Sequence, residues 1–342
     1  MGQKQPEERD AMATNKKKVL YTDSMGKGGI EILKARGDVE AIAFNYFMKG
    51  ADYQALLRKE GPVHGVILGA TPFGVAEFEA SGGIEVVART GVGYDAIDIP
   101  GMTARKIPVM IAGTANSPSV AEQAMTFMLT LARKGPQLTK LVAEGRWADR
   151  LKPEYVAVDM FEKTVLIIGF GRIGTRTAKR CLAMEMTVLV YDPYVKPETI
   201  RAAGCEPVSD LDAALPRADF VTIHCPKTPE SVGMFNAARM KLMKRTAYLV
   251  STARGGIIDE KALHAALTDG TLPAAALDVF DREPPDTENP LFKLPNVILS
   301  PHIAGVTAEA MERMAVEAAK NVLSVFDGQP RKENAVNPDV FA

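Results

Sequence analysis

The stretch Val165-Leu166-Ile167-Ile168-Gly169-Phe170-Gly171-Arg172-Ile173-Gly174 decides the fold of this chain. An apolar strand runs directly into a Gly-x-Gly-x-x-Gly turn, residues 172–184 have the pattern of a helix, and Asp192 ends the next predicted strand. A glycine triplet alone is a weak signal, because glycines also serve ordinary tight turns. With strand, helix and acid all in place, the pattern predicts a turn that binds a dinucleotide.

Each glycine of this turn has its own physical role. Gly169 permits the tight turn, Gly171 lets backbone amides approach a pyrophosphate, and Gly174 allows close packing of helix on strand. The start of the helix adds N–H groups and a partial positive charge. The Asp192 carboxylate can accept hydrogen bonds from both hydroxyls of an adenosine ribose and would repel a 2′-phosphate, which favours NAD over NADP.

Short apolar runs alternate with amphipathic segments on both sides of this turn. Before the turn, strands are predicted at residues 19–23, 39–44, 65–69, 86–90 and 109–112. A second series is predicted at residues 164–168, 187–191, 220–223, 247–250, 274–277 and 297–299. Nearly continuous apolar strands with helices between them are typical of parallel sheets covered on both faces. The sequence therefore predicts an α/β protein with two doubly wound parallel sheets.

Three helical segments stand out by their apolar patterns. Residues 28–36 suit a helix that ends at Gly37, and residues 308–326 carry apolar side chains at helical spacing. The segment 116–145 opens with Asn116-Ser117-Pro118, which favours a helix start. Its apolar residues surround the helix instead of forming one stripe, so we expect it to be buried on all sides, between lobes or between subunits.

Composition excludes several classes of protein. The 342 residues suffice for two domains, and 41 Lys+Arg against 42 Asp+Glu give a net charge of −1. No global field therefore favours nucleic acid or an anionic membrane. No apolar run reaches the ~18–20 residues that span a bilayer. Residues 1–18 are polar and lack the apolar stretch of a secretory signal, so we expect a disordered leader there and a cytoplasmic protein.

The cysteines give little sign of a metal or a disulfide. Cys181, Cys205 and Cys225 lack the spacing of a zinc site or of a disulfide framework. Scattered cysteines of this kind indicate a reducing compartment. We expect no structural metal.

Three side chains that can carry chemistry come shortly after the last three predicted strands: Arg254, Glu283 and His302. The carboxyl ends of parallel strands are where open α/β sheets bind ligands. Arg254 can clamp a carboxylate, and His302 can exchange a proton at physiological pH. Glu283 can hold the imidazole in one tautomer. Singly, each could be an ordinary loop residue, but together beside a dinucleotide turn they favour a catalytic set.

The chain resembles the D-isomer-specific 2-hydroxyacid dehydrogenase family, which includes D-3-phosphoglycerate, D-lactate and glyoxylate/hydroxypyruvate dehydrogenases. The matching segments follow the family's order and are residues 89–95, 116–122, 169–174, 224–230, 250–256, 278–285 and 300–305. The resemblance implies a flavodoxin-like substrate lobe, a Rossmann coenzyme lobe and an active site in the cleft between them. It also implies a catalytic set of Arg254, Glu283 and His302, and a homodimer held by the coenzyme domain.

The resemblance further implies how the chain divides. The discontinuous substrate domain would comprise residues 19–115 and 301–330, and the NAD-binding domain residues 116–300. Expected contacts with NAD are Arg172 and Ile173 at the pyrophosphate, Asp192 at the ribose, Cys225 and Pro226 on the adenine side, and Ala253 and Asp278 by the nicotinamide. Val92 and Gly93 would line the substrate with Arg254 and His302. His224 would belong to the coenzyme wall and have no catalytic role.

Departures from the family pattern concern the substrate. Many phosphoglycerate dehydrogenases carry an Arg-Ser pair after the third strand of the substrate lobe, where this chain has Gly69-Ala70-Thr71. The missing arginine disfavours 3-phosphoglycerate among the small 2-hydroxy and 2-oxo acids. Formate dehydrogenases of the family pair the histidine with a glutamine, so Glu283 argues against that activity, while phosphite oxidation stays open. A different class, the NAD-sensing corepressors called C-terminal binding proteins, also retains the catalytic set and is the alternative function.

Overall fold

The computed structural model describes residues 16–342, which form two units. One unit contains the residues up to Asn116 together with Ala308–Ala342, and the other is Ser117–Thr307. In each unit, every strand of the described chain pairs in parallel with its neighbours. The predicted fold class, two parallel α/β sheets, is confirmed.

The first unit has a five-stranded sheet in its described residues. The strands are β1 (Lys17–Thr22), β2 (Val39–Phe44), β3 (Gly65–Leu68), β4 (Val86–Arg89) and β5 (Val109–Met110), in the order β2-β1-β3-β4-β5. The helices are α1 (Lys27–Lys34), α2 (Gly50–Glu60), α3 (Val75–Ser81), α4 (Ile99–Ala104) and α12 (Ala308–Phe326). Alternate residues of a strand point to opposite faces, so Leu20 belongs to one core while Val19 and Tyr21 belong to the other.

The second unit has a seven-stranded sheet in the part of the chain that is described. Its strands are β6 (Thr164–Ile168), β7 (Thr187–Tyr191), β8 (Glu206–Val208), β9 (Phe220–Ile223), β10 (Tyr248–Ser251), β11 (Ala274–Leu277) and β12 (Val297–Leu299), in the order β12-β11-β10-β9-β6-β7-β8. Its α-helices are α5 (Ser117–Arg133), α6 (Gly135–Ala143), α7 (Gly174–Ala183), α8 (Pro197–Ala202), α9 (Leu211–Ala214), α10 (Ala237–Leu242) and α11 (Glu260–Thr268). The chain leaves β6 towards β7 on one side and later returns as β9 on the other, which makes the end of β6 a topological switch point.

Strand β1 begins earlier than predicted. Residues 1–15 of the predicted leader lie outside the described residues, but Lys17 and Lys18 belong to β1, so placing them in a leader was wrong. Their side chains explain why a strand can start on two lysines. The ammonium group of Lys17 pairs with Glu85 at 2.5 Å, and that of Lys18 donates to the carbonyl of Glu60 at 2.6 Å. Both lysine side chains therefore have partners at the amino-terminal end of β1.

The first predicted helix ends earlier than expected, and one strand went unpredicted. Helix α1 ends at Lys34 rather than Arg36. Strand β8 is short and only partly buried, and it pairs with β7 alone at the end of the sheet order. Its Pro207 cannot donate to a ladder, which is tolerated on an edge strand. Proline and partial exposure together hid β8 in the sequence.

The sequence predicted that helix α5 is buried on all sides, and this prediction was wrong. Glu122, Thr126, Leu129 and Arg133 form one exposed stripe at helical spacing. The opposite face contributes buried residues to a core of the second unit: Met125, Phe127, Met128, Leu131 and Ala132. The helix also stops before residue 145, because Lys134 takes a left-handed conformation with a φ of 51° and α6 starts afresh after it.

In the carboxyl-terminal part of the chain, the bounds of both units differ from the predicted ones. Residues 301–307 belong to the second unit, because the buried carboxylate of Asp278 accepts hydrogen bonds from the backbone of Ile303 and Ala304. The first unit continues beyond residue 330 to Ala342. There Val336 donates its N–H to the carbonyl of Val109 at 2.8 Å, which adds the segment to the edge of β5.

Candidate active site

The three predicted side chains lie at one edge of the second sheet. Arg254 comes three residues after β10, Glu283 six residues after β11, and His302 three residues after β12. Because β10, β11 and β12 are parallel neighbours, their carboxyl ends meet at the same edge. The sheet thus brings together residues that are far apart in the sequence.

Glu283 and His302 form a direct pair. The Glu283 Oε2 lies 2.6 Å from the His302 Nδ1, and Oε1 accepts the Phe280 N–H at 3.0 Å. Burial raises the pKa of the Glu283 carboxyl, but the hydrogen bonds from His302 and Phe280 and the charge of Arg254 outweigh burial and hold the pKa below its ordinary value. The ionised carboxylate requires a proton on Nδ1, which leaves Nε2 of His302 to exchange a proton with a ligand.

The backbone of His302 is held in an uncommon conformation by Asp278. His302 has a φ of 53°, in the left-handed region that non-glycine residues rarely adopt. The fully buried Asp278 carboxylate accepts the N–H groups of Ile303 and Ala304, both at 2.9 Å, and the Ser300 hydroxyl. Its carbonyl accepts the His302 N–H at 2.8 Å. Asp278 therefore fixes the turn that carries His302, while its predicted place beside the nicotinamide stays a prediction.

Arg254 is half-buried on a loop that lies against the backbone of the Glu283 loop. Its Nη1 donates to the carbonyl of Ala253 at 2.7 Å. A Cβ at Gly255 would overlap the carbonyl of Phe280, so only glycine allows the two loops to lie this close. The planar guanidinium suits bidentate binding of a carboxylate.

The glycine-rich turn has the shape that its sequence predicts. Gly169 has a φ of 92°, which glycine adopts without strain, and α7 starts at Gly174. A Cβ at Gly174 would overlap the Gly169 carbonyl, whereas a Cβ at Gly171 would meet no atom within 4 Å. The tight contact and the open space fit a turn that packs closely on its own strand and leaves room for a pyrophosphate in front of Gly171, Arg172 and Ile173.

Asp192 sits beside this turn with its carboxylate already oriented. Oδ2 accepts the Phe170 N–H at 2.7 Å, and Oδ1 accepts the Tyr194 N–H at 2.9 Å. Each oxygen keeps a further lone pair for a ribose hydroxyl. The position directly after β7 is where the sequence placed the ribose acceptor.

The backbone of residues 224 and 225 lies next to the turn. The Cys225 backbone lies so close to Gly169 that a Cβ there would be 2.7 Å from the Cys225 nitrogen. Burial raises the pKa of the Cys225 thiol to about 11, so it is not a nucleophilic thiolate. The His224 ring lies between the hydroxyls of Thr222 and Thr252, and burial lowers its pKa to about 3. His224 is therefore neutral near pH 7.

The remaining predicted residues take separate places. Pro226 is exposed, and its carbonyl accepts the Ser231 hydroxyl at 2.8 Å. Val92 and Gly93 lie in the first unit, in the loop after β4, and are partly exposed. Two further residues of the site were not predicted: the Ser300 hydroxyl donates to Asp278, and the Phe280 N–H donates to Glu283. Phe280 acts through its backbone, so its side chain carried no signal.

The second unit matches a known domain over most of its length. The profile of "D-isomer specific 2-hydroxyacid dehydrogenase, NAD binding domain" matches residues 125–304, which is more than half of the chain. This chain belongs to the D-isomer specific 2-hydroxyacid dehydrogenase family. Its second unit is an NAD-binding domain, as predicted from the glycine-rich turn.

Relatives of this family member are similar over almost the whole chain. D-3-phosphoglycerate dehydrogenase of Archaeoglobus fulgidus is 37% identical over 94% of this chain and 59% of its own length. D-3-phosphoglycerate dehydrogenase of Mycobacterium tuberculosis is 38% identical over 91% of this chain and 57% of its own. The chain thus spans less than two thirds of the length of these curated relatives.

Solved structures extend the similarity to the fold. The TT0316 protein of Thermus thermophilus aligns with a TM-score of 0.83 and 31% identity over 93% of this chain and 99% of that one. D-lactate dehydrogenase of Aquifex aeolicus, solved with NAD and lactic acid, aligns with a TM-score of 0.79 and 29% identity over the same shares. Within residues 16–342, no helix is both long enough and apolar enough to cross a bilayer.

Proposed function

We propose that this protein is an NAD-dependent oxidoreductase that transfers a hydride between NAD(H) and a small D-2-hydroxy acid or its 2-oxo counterpart. The observation that carries the proposal is the 2.6 Å contact between Glu283 and His302, on the same sheet edge as Arg254 and in the same unit as the dinucleotide turn. A proton carrier and a carboxylate-binding cation are what reduction of a 2-oxo acid requires.

In the direction of reduction, each residue has one task. The Arg254 guanidinium binds the carboxylate of the 2-oxo acid and polarises its ketone. Bound NADH supplies the hydride for C2. His302, protonated on both nitrogens, gives the proton on Nε2 to the developing alkoxide, while Glu283 holds the proton on Nδ1. In oxidation, the same Nε2 accepts the hydroxyl proton.

We propose an unphosphorylated substrate. The loop after β3 reads Gly69-Ala70-Thr71 and offers no cation for a phosphate, although relatives are named phosphoglycerate dehydrogenases. NADH oxidation with pyruvate, glyoxylate, hydroxypyruvate and 3-phosphohydroxypyruvate tests both proposals. We expect turnover with at least one unphosphorylated acid and a lower kcat/KM for the phosphorylated one. NADH binding without turnover of any acid would instead favour the corepressor-like alternative.

We also propose a cytoplasmic homodimer held by the NAD-binding unit. Its segment 142–161 exposes a group of large apolar side chains: Val142, Trp147, Leu151, Val156 and Phe161. A second copy of the chain is the occupant that would bury them. Light scattering on the eluting protein should give a dimer, and Leu151→Glu should give a monomer. Phe47→Glu, an equally exposed position in the first unit, is the control that should stay dimeric.

A further inference from the structure

Asp281 joins the loop of Arg254 to the loop of Glu283. Its Oδ1 accepts the N–H of Gly256 at 2.8 Å. Gly256 comes two residues after Arg254, and Asp281 comes two residues before Glu283. Gly256 has a φ of 85°, so the direction of its N–H depends on a left-handed backbone that the hydrogen bond helps to hold.

Helix α11 holds Asp281 from the other side. Glu260, the first residue of α11, accepts the N–H of Asp281 through Oε1 at 2.6 Å. Its Oε2 accepts the side-chain amide of Asn289 at 2.9 Å, which fixes the rotamer of Glu260. The backbone of Asp281 is therefore bound to α11, while its side chain binds the Arg254 loop.

The Arg254 loop is also held by backbone contacts, because the Gly256 carbonyl accepts the Gly233 N–H at 2.8 Å and Gly255 lies against the Phe280 carbonyl. A pocket borders Arg254, Gly255 and Asp281, and it also borders the buried Ser251, whose hydroxyl has no hydrogen-bond partner. The Gly256 carbonyl is thus bound by a backbone group, whereas its N–H is bound by a side chain, that of Asp281. From Asp281 the connection to the catalytic pair is short, since the neighbouring Phe280 N–H binds the Glu283 carboxylate.

We propose that Asp281 is a positioning residue that sets the place of the Arg254 guanidinium relative to the Glu283–His302 pair. This inference rests on the proposed function, in which one substrate must contact Arg254 and His302 at once. A displacement of about 1 Å between such groups can cost about 100-fold in rate. Asp281 acts through the backbone of Gly256 and does not itself contact the substrate.

To bind the Gly256 N–H, the side chain of Asp281 needs an acceptor oxygen, but it does not need a negative charge. Burial and the neighbouring charges of Glu260 and Asp259 raise the pKa of Asp281, while the Gly256 N–H and Lys227 lower it, and the net shift is upward. The Oδ1 atom can accept the Gly256 N–H in either protonation state. An asparagine offers the same acceptor, so Asp281→Asn should preserve the position of Arg254.

The test compares four variants with the wild type in NADH oxidation with the best 2-oxo acid. Asp281→Ala should raise KM and lower kcat, with a combined loss of about 100-fold in kcat/KM. Asp281→Asn should stay within about threefold of wild type, and the affinity for NADH should stay within about twofold in both. The control is Asp286→Ala. Asp286 is an exposed acid of the same loop whose side chain accepts the backbone Glu288 N–H at 2.9 Å, and its alanine variant should behave as wild type.

Glu260→Ala keeps the test decisive if Asp281→Ala does not fold. It removes the acceptor of the Asp281 N–H and should lower kcat/KM in the same direction. Wild-type kcat/KM in Asp281→Ala or Glu260→Ala, or an equal loss in Asp281→Asn and Asp281→Ala, would overturn the positioning role. A wild-type protein that reduces no 2-oxo acid would instead overturn the proposed function, so the two failures are distinguishable.

Discussion

The Oε2 atom of Glu283 lies 2.6 Å from the Nδ1 atom of His302, and this contact leaves Nε2 as the imidazole nitrogen that can exchange a proton with a ligand. An ionised carboxylate can only accept, so Nδ1 must donate, and Nε2 is the nitrogen that would contact the substrate in the proposed reaction. The backbone of His302 is fixed separately, because the Asp278 carboxylate accepts the N–H groups of the next two residues, Ile303 and Ala304. Ring and backbone are thus oriented by different acids, and both must be in place for Nε2 to point one way.

The lowered pKa of Glu283 predicts how its contribution to stability depends on pH. A carboxyl whose pKa is lower in the folded state stabilises the fold above its ordinary value of about 4.5, and this contribution is lost as the pH falls through the lowered pKa. Replacing Glu283 by glutamine should therefore lower Tm at pH 6 to 8, and the difference from wild type should shrink below pH 4.5. Thermal melts of both proteins over this range measure it. A difference that grows on acidification would contradict the ionised pair.

Alanine substitutions at two glycines of the dinucleotide turn should change different properties: the affinity for NADH at Gly171 and the stability of the fold at Gly174. Gly171→Ala places a methyl group in open space, so Tm should not change, but the methyl group blocks the approach of a pyrophosphate and should raise the Kd of NADH about tenfold or more. Gly174→Ala forces a Cβ against the Gly169 carbonyl and should cost about 1–3 kcal/mol of stability. Thermal melts and fluorescence titration with NADH separate the two effects. Unchanged NADH affinity in Gly171→Ala would place the coenzyme elsewhere.

Asp192 should set the preference between the two coenzymes. Backbone N–H groups of Phe170 and Tyr194 hold its carboxylate beside the turn, where a 2′-phosphate would meet a negative charge. We expect kcat/KM with NADH to exceed that with NADPH at least tenfold, which corresponds to about 1.4 kcal/mol. Asp192→Ala should narrow this ratio and weaken NADH binding. Equal use of both coenzymes by the wild type would refute the assignment.

Much of the fold follows from apolar patterns that the sequence displays directly. Strand β6 was predicted at its observed bounds because four buried apolar residues run into a glycine. Strand β8 escaped because it carries Pro207 on an exposed edge. Helix α5 was predicted to be wholly buried because its polar stripe is narrow and contains Leu129. Whether an apolar residue is covered depends on tertiary or subunit contacts that a local pattern does not contain.

The candidate site also contains groups that the sequence predicts and groups that it does not. Arg254, Glu283 and His302 could be predicted as a candidate set because each follows a strand and has a side chain with recognisable chemistry. The groups that orient these three side chains could not be predicted, because most of them are backbone groups. The Ile303 N–H that binds Asp278 lies 25 residues away in the sequence, and any residue except proline would supply it. The acceptor role of Asp281 was hidden for the same reason, since it binds the N–H of Gly256.

The most direct test of the proposed site is the reduction of an unphosphorylated 2-oxo acid by wild type and by Arg254→Lys. Lysine keeps the charge but loses the planar fork that binds a carboxylate through two hydrogen bonds. We expect the wild type to oxidise NADH, and the variant to show a higher KM for the acid and a lower kcat, with Tm and NADH affinity close to wild type. Full activity of Arg254→Lys would contradict the account, because the substrate carboxylate would then be held by other groups.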